Sequence, residues 1–285
     1  MKLVDLPGLP GAVRFELESK HVGDRFTISV FCPDLSRVPM PPDQIPERLR
    51  VLYLTDSDSM FPAAWSAIGL SGMVALDLDK PFEPVIVVGV GYGMDDPMRW
   101  LRQRARDLTP PGTPLTEEAI QVMGPDVAQG HADRFLRFLE DELDPVIRRE
   151  FPTTGDRAGL FGHSFGGLFA SYALFSRSPS FDRYIIGSPG NVFPEPIVLD
   201  LEERCHAAGR RLDASAYITL GSLERAAAFK GFGYIAETYD TLVARLNDRA
   251  YEGFSFTAHE YPDQSHVSTA NACLFDGLRL LYPAS

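Results

Sequence analysis

The chain has 285 residues, 45% hydrophobic and 23% charged, enough apolar material for a sizeable core. Its formal net charge of −12 argues against nucleic acid and anionic membranes as partners, and no stretch approaches the roughly eighteen uninterrupted apolar residues of a spanning helix. Three scattered cysteines (Cys32, Cys205 and Cys273), with no signal-peptide core at the N-terminus, point to a soluble cytoplasmic protein rather than a disulfide or metal framework.

In chain order, Val13 to Pro33 predicts two β-rich runs flanking the hairpin punctuation Val22-Gly23-Asp24. Leu49 to Leu54 is a compact apolar strand ending in the polar run Thr55 to Ser59. Val85 to Val90 is almost continuously apolar, as expected of a parallel strand covered on both faces. Tyr92 to Gly130, rich in Pro, Gly and Thr, reads as a long functional loop. His131 to Phe151 has helical spacing, with Phe135, Leu136, Phe138, Leu139 and Leu143 on one face and Pro145 set to kink or divide it. A short strand at Arg157 to Phe161 precedes a helix over Phe165 to Phe175. Further strands are predicted at Asp182 to Ile186, Ala214 to Leu220 and Phe254 to Tyr261, and helices at Ile197 to Ala208, Gly233 to Leu246 and Val267 to Leu281. Strands alternating with helices predict a single α/β domain over residues 1–285, built on a mostly parallel sheet with helices on both faces and an N-terminal β-hairpin.

Gly162-His163-Ser164-Phe165-Gly166 matches the G-x-S-x-G pattern, lying between an apolar strand and an apolar helix. That setting predicts a strained strand-to-helix turn with the Ser164 hydroxyl projecting above the sheet as nucleophile, the signature of an α/β-hydrolase fold; a purely structural glycine turn is the bland alternative. In this fold the acid and then the histidine follow the serine in the chain. Of six histidines only His259 and His266 follow a late strand. His259 lies inside the strand run FSFTAHEYP, whereas His266 follows the turn-like Pro262-Asp263-Gln264-Ser265 and opens a helix, so His266 is the preferred base. Glu224, just past the end of the strand Ala214 to Leu220, is the preferred acid; an exposed helix-start glutamate is its bland reading, and Asp263 stays open as another acid. Position alone assigns the oxyanion hole to the backbone N–H groups of Phe165 and, on the loop Ser57-Asp58 expected after the strand LRVLYL, of Asp58.

These residues resemble the putative esterase family, which includes esterase D and the siderophore trilactone esterases, and among those the enterobactin and bacillibactin group. The resemblance runs from about Val13 to Tyr282 and is carried by LYLTDSDSMF, RQRARDLTP (Arg102 to Pro110), FGHSFGGLFASYALF, RYIIGSP, ITLGSLE and His266. It implies an α/β-hydrolase with Ser164 and His266 at the catalytic positions and Asp56 at the aspartate of the family's Leu-Asp-Gly-Asp turn. Two departures stand out: Ser57 replaces that turn's glycine, and Gly190-Asn191-Val192-Phe193 stands where the siderophore pattern has adjacent tryptophans.

Arg99, Arg102, Arg104 and Arg106 form a basic cluster, either a solvated helix face or, with Arg102, Arg106 and Asp56, a contact for an anionic or catecholate-like substrate. Gly89 to Gly93 is discounted as a nucleotide loop because Met94 takes the sixth position of the pattern; Asp56-Asp58 and Asp95-Asp96 lack a third partner at cation-ligand spacing. The expected chemistry is hydrolysis of a small-molecule carboxylic ester or lactone through an acyl-enzyme on Ser164, needing no metal or organic cofactor, with siderophore-type esters implied by the resemblance. Acyl transfer or thioester hydrolysis uses the same intermediate, and a non-catalytic binding module on a hydrolase scaffold is the alternative of a different class.

Overall fold

The apolar runs of the sequence become strands buried on both faces. β4 (Val51–Leu54) alternates its side chains between two cores, Val51 and Tyr53 in the first, Leu52 and Leu54 in the second. β6 (Ala158–His163) and β7 (Phe181–Gly187) do the same, with Leu160, Tyr184 and Ile186 on the first side and Phe161 and Ile185 on the second. A strand with two apolar faces shows no polar alternation, so these stretches look continuous in the sequence. The computed structural model describes residues 2–37, 46–74, 82–93, 95–190, 197–209, 211–227 and 230–284. Met94 and the segment Asn191 to Phe193 lie outside them.

Among the described residues one nine-stranded sheet has the order β1-β2-β3-β5-β4-β6-β7-β8-β9. β1 (Val4–Asp5), β2 (Ala12–Ser19) and β3 (Asp24–Phe31) pair antiparallel, and β3 joins β5 (Ile86–Gly91) antiparallel. From β5 the sheet is parallel through β4, β6 and β7 to β8 (Arg211–Gly221) and β9 (Glu252–Tyr261). After β4 the chain goes to one side, and after β6 it goes to the other. The turns leaving these two neighbours therefore diverge and open a crevice at the carboxyl edge of the sheet.

α1 (Ser57–Val74) and α9 (His266–Leu281) cover the second face. The first face takes α2 (Pro97–Leu108), α6 (Phe165–Phe175), α7 (Ile197–Ala207) and α8 (Lys230–Arg249). α4 (Ala132–Arg137) and α5 (Asp144–Glu150) lie on that face too, joined by a π-helical turn at Phe138–Leu143. The expected break at Pro145 takes this form: the wider turn ahead of it accommodates a residue with no N–H to donate. No helix among the described residues is long and apolar enough to cross a membrane.

Two expectations need correction. The stretch Tyr92 to Gly130 is not simply a loop, because it contains α2 and α3 (Glu117–Met123). α2 buries Gln103, Arg104 and Asp107 beside Ala105 and Leu108, so its inward face is mostly polar and carries no hydrophobic period. The polar run after β4 likewise opens a helix, α1, rather than remaining loop. Asp96 starts α2 by accepting from the N–H groups of Met98 (2.9 Å) and Arg99 (3.1 Å), with Pro97 in the first turn. Asp96→Ala should lower the unfolding free energy by about 1 kcal/mol in urea denaturation; an unchanged midpoint would mean that packing alone sets the start of α2.

Candidate active site

Ser164 sits between β6 and α6 with φ 60° and ψ −119°, a left-handed backbone that a non-glycine residue adopts only under constraint. The constraint is close approach. A Cβ at Gly162 would overlap the carbonyl of Gly166, and one at Gly166 would overlap the Thr55 hydroxyl, so both flanking positions require glycine. The Ser164 N–H donates to the Gly187 carbonyl on β7 (2.9 Å), and its own carbonyl accepts the Leu168 N–H (2.9 Å), closing the first turn of α6.

His266 is the first residue of α9, whose start is capped by Ser265. Its Nδ1 lies 2.8 Å from Glu224 Oε2. Glu224 is fully buried in the short 3-10 turn after β8, and its other oxygen accepts from the Ser188 hydroxyl (2.7 Å) and the Gly221 N–H (2.9 Å). Burial acts to raise this carboxyl, but the bonds from His266, Ser188 and Gly221 together outweigh it and hold it below the usual glutamate range. The structure thus brings Glu224 and His266 together. His259 is exposed on β9, and Asp263 donates its N–H to the Ser222 hydroxyl in the adjoining turn.

His163, immediately before Ser164, is the histidine whose proximity tests the assignment. Its Nε2 lies 2.7 Å from the His266 carbonyl oxygen, and the two rings are 4.7 Å apart. A carbonyl can only accept, so Nε2 carries the proton and Nδ1 is bare. Burial first, then the neighbouring His266, pushes His163 down to about 3, so it stays a neutral donor across the physiological range. His266 is the ring of the pair whose Nδ1 meets a carboxylate.

The oxyanion candidates stand in the first turns of two helices, where N–H groups have no acceptor within their own helix. Phe165 opens α6 and Asp58 is the second residue of α1. The Asp58 carboxylate accepts from the Tyr92 (2.8 Å) and Gly93 (3.1 Å) N–H groups, which ties the start of α1 to the turn after β5. Asp56, at φ 57°, is paired through both oxygens with Arg104, one of these bonds being 2.9 Å from Nη2. Arg104 also lies over the Trp100 ring (4.6 Å) and near the Phe165 ring (5.5 Å), beside the nucleophile turn. Arg106 is turned to Asp107 and Asp24, while Arg102 stays partly exposed on α2. The member of the basic cluster that meets Asp56 is therefore Arg104, neither Arg102 nor Arg106. Within the segment RQRARDLTP, the pattern Arg104-x-x-Asp107-x-Thr109-Pro110 has a physical reading: one buried ion pair, one carboxylate for Arg106, and a hydroxyl that accepts the Gly130 N–H (2.7 Å). Sequence reasoning placed Arg104 in the cluster without pairing it with Asp56, and it missed Ser188; the Arg-x-x-Asp spacing and the Ser-Pro turn were the available signals.

Removing one partner of the Arg104–Asp56 pair would strand the other charge in the interior. Arg104→Met and Asp56→Asn should each cost about 3–5 kcal/mol in urea denaturation, and the double variant clearly less than their sum; simple additivity would show the pair to be uncoupled. Glu224 predicts a pH dependence as well. Because its carboxyl is lowered on folding, it stabilises the fold above its unfolded value of about 4.3 and loses that contribution as pH falls through the lowered folded value. The stability difference between wild type and Glu224→Gln should therefore shrink in acid; a constant difference would sink the argument.

The putative esterase family matches residues 19–197 of this chain. The ferri-bacillibactin esterase BesA of Bacillus subtilis is 26% identical over 282 residues, covering 96% of this chain and 91% of that protein. The siderophore enterobactin esterase of Emericella nidulans is 30% identical over 261 residues, 81% of each chain. Among solved structures, the siderophore hydrolase EstB from Aspergillus nidulans superposes with a TM-score of 0.77 at 25% identity, over 98% of either chain. Sequence match, sheet and strained serine turn agree, and the chain belongs to the putative esterase family, carboxylic-ester hydrolases on the α/β-hydrolase fold.

Proposed function

We propose that this chain hydrolyses a siderophore-type ester or lactone through an acyl-enzyme on Ser164, with His266 as general base and then acid and Glu224 as the orienting carboxylate. The observation that carries the mechanism is the Glu224–His266 contact of 2.8 Å, its imidazole 4.7 Å from the ring of His163, the residue that precedes a serine held at φ 60°. His266 Nε2 takes the Ser164 proton as Oγ attacks the ester carbonyl carbon, and the Phe165 and Asp58 N–H groups stabilise the oxyanion. The C–O bond to the alcohol breaks, and the imidazolium gives its proton to the departing oxygen. Water then attacks the acyl-enzyme, losing a proton to His266. The bond to Ser164 breaks and that proton returns to Oγ, so ester and water become acid and alcohol. Every step balances on these side chains, and none calls for a metal or organic cofactor.

The substrate class rests on the relatives, which are named for bacillibactin and enterobactin. Arg102, partly exposed on α2, is the cation we assign to an anionic substrate, and the Asp56–Arg104 pair shapes the wall of the crevice. The chain is proposed to act as one domain in a reducing, cytoplasmic setting, in keeping with three free thiols.

A fluorophosphonate probe with peptide mapping should label Ser164, and turnover of siderophore lactones should exceed that of a thioester. Ser164→Ala should abolish both labelling and turnover while the thermal midpoint barely moves. His266→Ala should lower kcat by several orders of magnitude and His259→Ala should leave it near wild type. No labelling of a folded protein would replace this reading with a binding module on a hydrolase scaffold, and faster thioester turnover would replace the substrate class.

A further inference from the structure

We propose that Phe232 is a positioning residue for the general base: its ring, stacked on the His266 imidazole, fixes the ring's plane and favours the imidazolium formed when Ser164 attacks. The proposal rests on the reading of His266 as base given above. Phe232 stands in the first turn of α8, half-buried, with its ring centroid 4.4 Å from that of His266 and the planes 22° apart. At that distance and tilt the electron-rich face of the phenyl ring lies over the imidazole. A neutral imidazole gains chiefly dispersion from the contact, whereas an imidazolium also gains cation–π attraction. The contact therefore strengthens as the proton moves, and only an interaction that strengthens toward the transition state raises the rate.

The other groups around His266 act differently. Glu224, from the turn after β8, bonds Nδ1, and His163, from the end of β6, holds the main-chain carbonyl with its ring tilted at 46°. The Arg104–Asp56 pair comes from α2 and the turn after β4, and Arg225, next to Glu224 in the chain, is turned to Asp240 and Glu260. Phe232 is the nearly parallel apolar ring in this set.

Ester hydrolysis by Phe232→Leu and Phe232→Trp, measured between roughly pH 5 and 9 with a p-nitrophenyl ester, separates this role from packing. Leucine keeps an apolar cover of similar bulk without a π face, and tryptophan supplies a stronger one. Because the side chain is only half-buried, both variants should fold, which thermal melts check. Phe232→Leu should lower kcat roughly five- to thirtyfold with KM little changed. The acid limb of its kcat/KM profile should move to lower pH, since a less stabilised imidazolium gives up its proton sooner. Phe232→Trp should restore both quantities. A leucine variant with wild-type kcat and acid limb would overturn the proposal, as would equal loss in the leucine and tryptophan variants. A change in KM alone would also overturn it, marking a substrate contact instead. His266→Ala run alongside tells the two readings apart: retained turnover there removes the base itself, whereas its loss beside an indifferent Phe232→Leu removes only the stack.

Discussion

The backbone of Ser164 is the constraint on which the site depends. A left-handed serine is disfavoured by about 1–3 kcal/mol, and it persists here because β6 and α6 approach too closely for a side chain at Gly162, and α6 and the turn after β4 too closely for one at Gly166. The same approach seats the turn against its neighbours: Gly166 meets Thr55 after β4, and Ser164 bonds Gly187 at the end of β7. Left-handed backbone recurs in those neighbouring turns, at Asp56 (φ 57°) and Ser188 (φ 42°). Three adjacent strands thus end in a strained polar residue, each tied to a partner: Asp56 to Arg104, Ser164 to Gly187 and Ser188 to Glu224. Strain of this kind persists only where the surrounding contacts over-determine it, which places the rigidity of the molecule at one edge of its sheet.

Charge burial on α2 serves that edge. A buried ion pair is close to neutral in stability against well-packed apolar side chains, so Arg104 and Asp56 are better understood by what they position than by what they stabilise. Arg104 lies near Trp100 and Phe165 and reaches the turn after β4, which fixes α2 against the turns that carry Asp56 and Ser164. Arg106, Asp107 and Asp24 repeat the pattern one turn along and anchor the same helix to the N-terminal hairpin. An apolar helix could pack there as tightly, but it could not present a guanidinium to the turns that carry the site.

These two features explain which parts were legible in the sequence. The parallel strands were plain because each is apolar on both faces, and Gly162 to Gly166 was plain because its glycines answer a local steric demand. α6 and α9 announced themselves by continuous apolar content and by the Ser265 turn. α2 did not, because its buried face is Gln103, Arg104 and Asp107, residues that a hydrophobic count assigns to solvent. The partner of Asp56 was out of reach for the same reason. Spacing marked four arginines as a cluster, but which of them faces inward depends on the helix phase, and that phase is set by tertiary contacts. The pairing of Glu224 with His266 was inferred from strand order, whereas the hydroxyl of Ser188 behind it required three turns to be placed in space.

The two histidines at the centre show how environment, rather than residue type, divides the roles. Their rings lie 4.7 Å apart, and His163 is the nearer of the two to Ser164 along the chain. Yet the partner of His163 is a main-chain carbonyl, which commits its proton to Nε2, and burial denies it a second one. The partner of His266 is a carboxylate whose remaining bonds keep it ionised, so a charge arriving on that ring meets an opposite charge already in place. A neutral donor and a chargeable base can therefore sit side by side without competing. The first holds the main chain of the second, and the fold needs only one carboxylate to tell them apart.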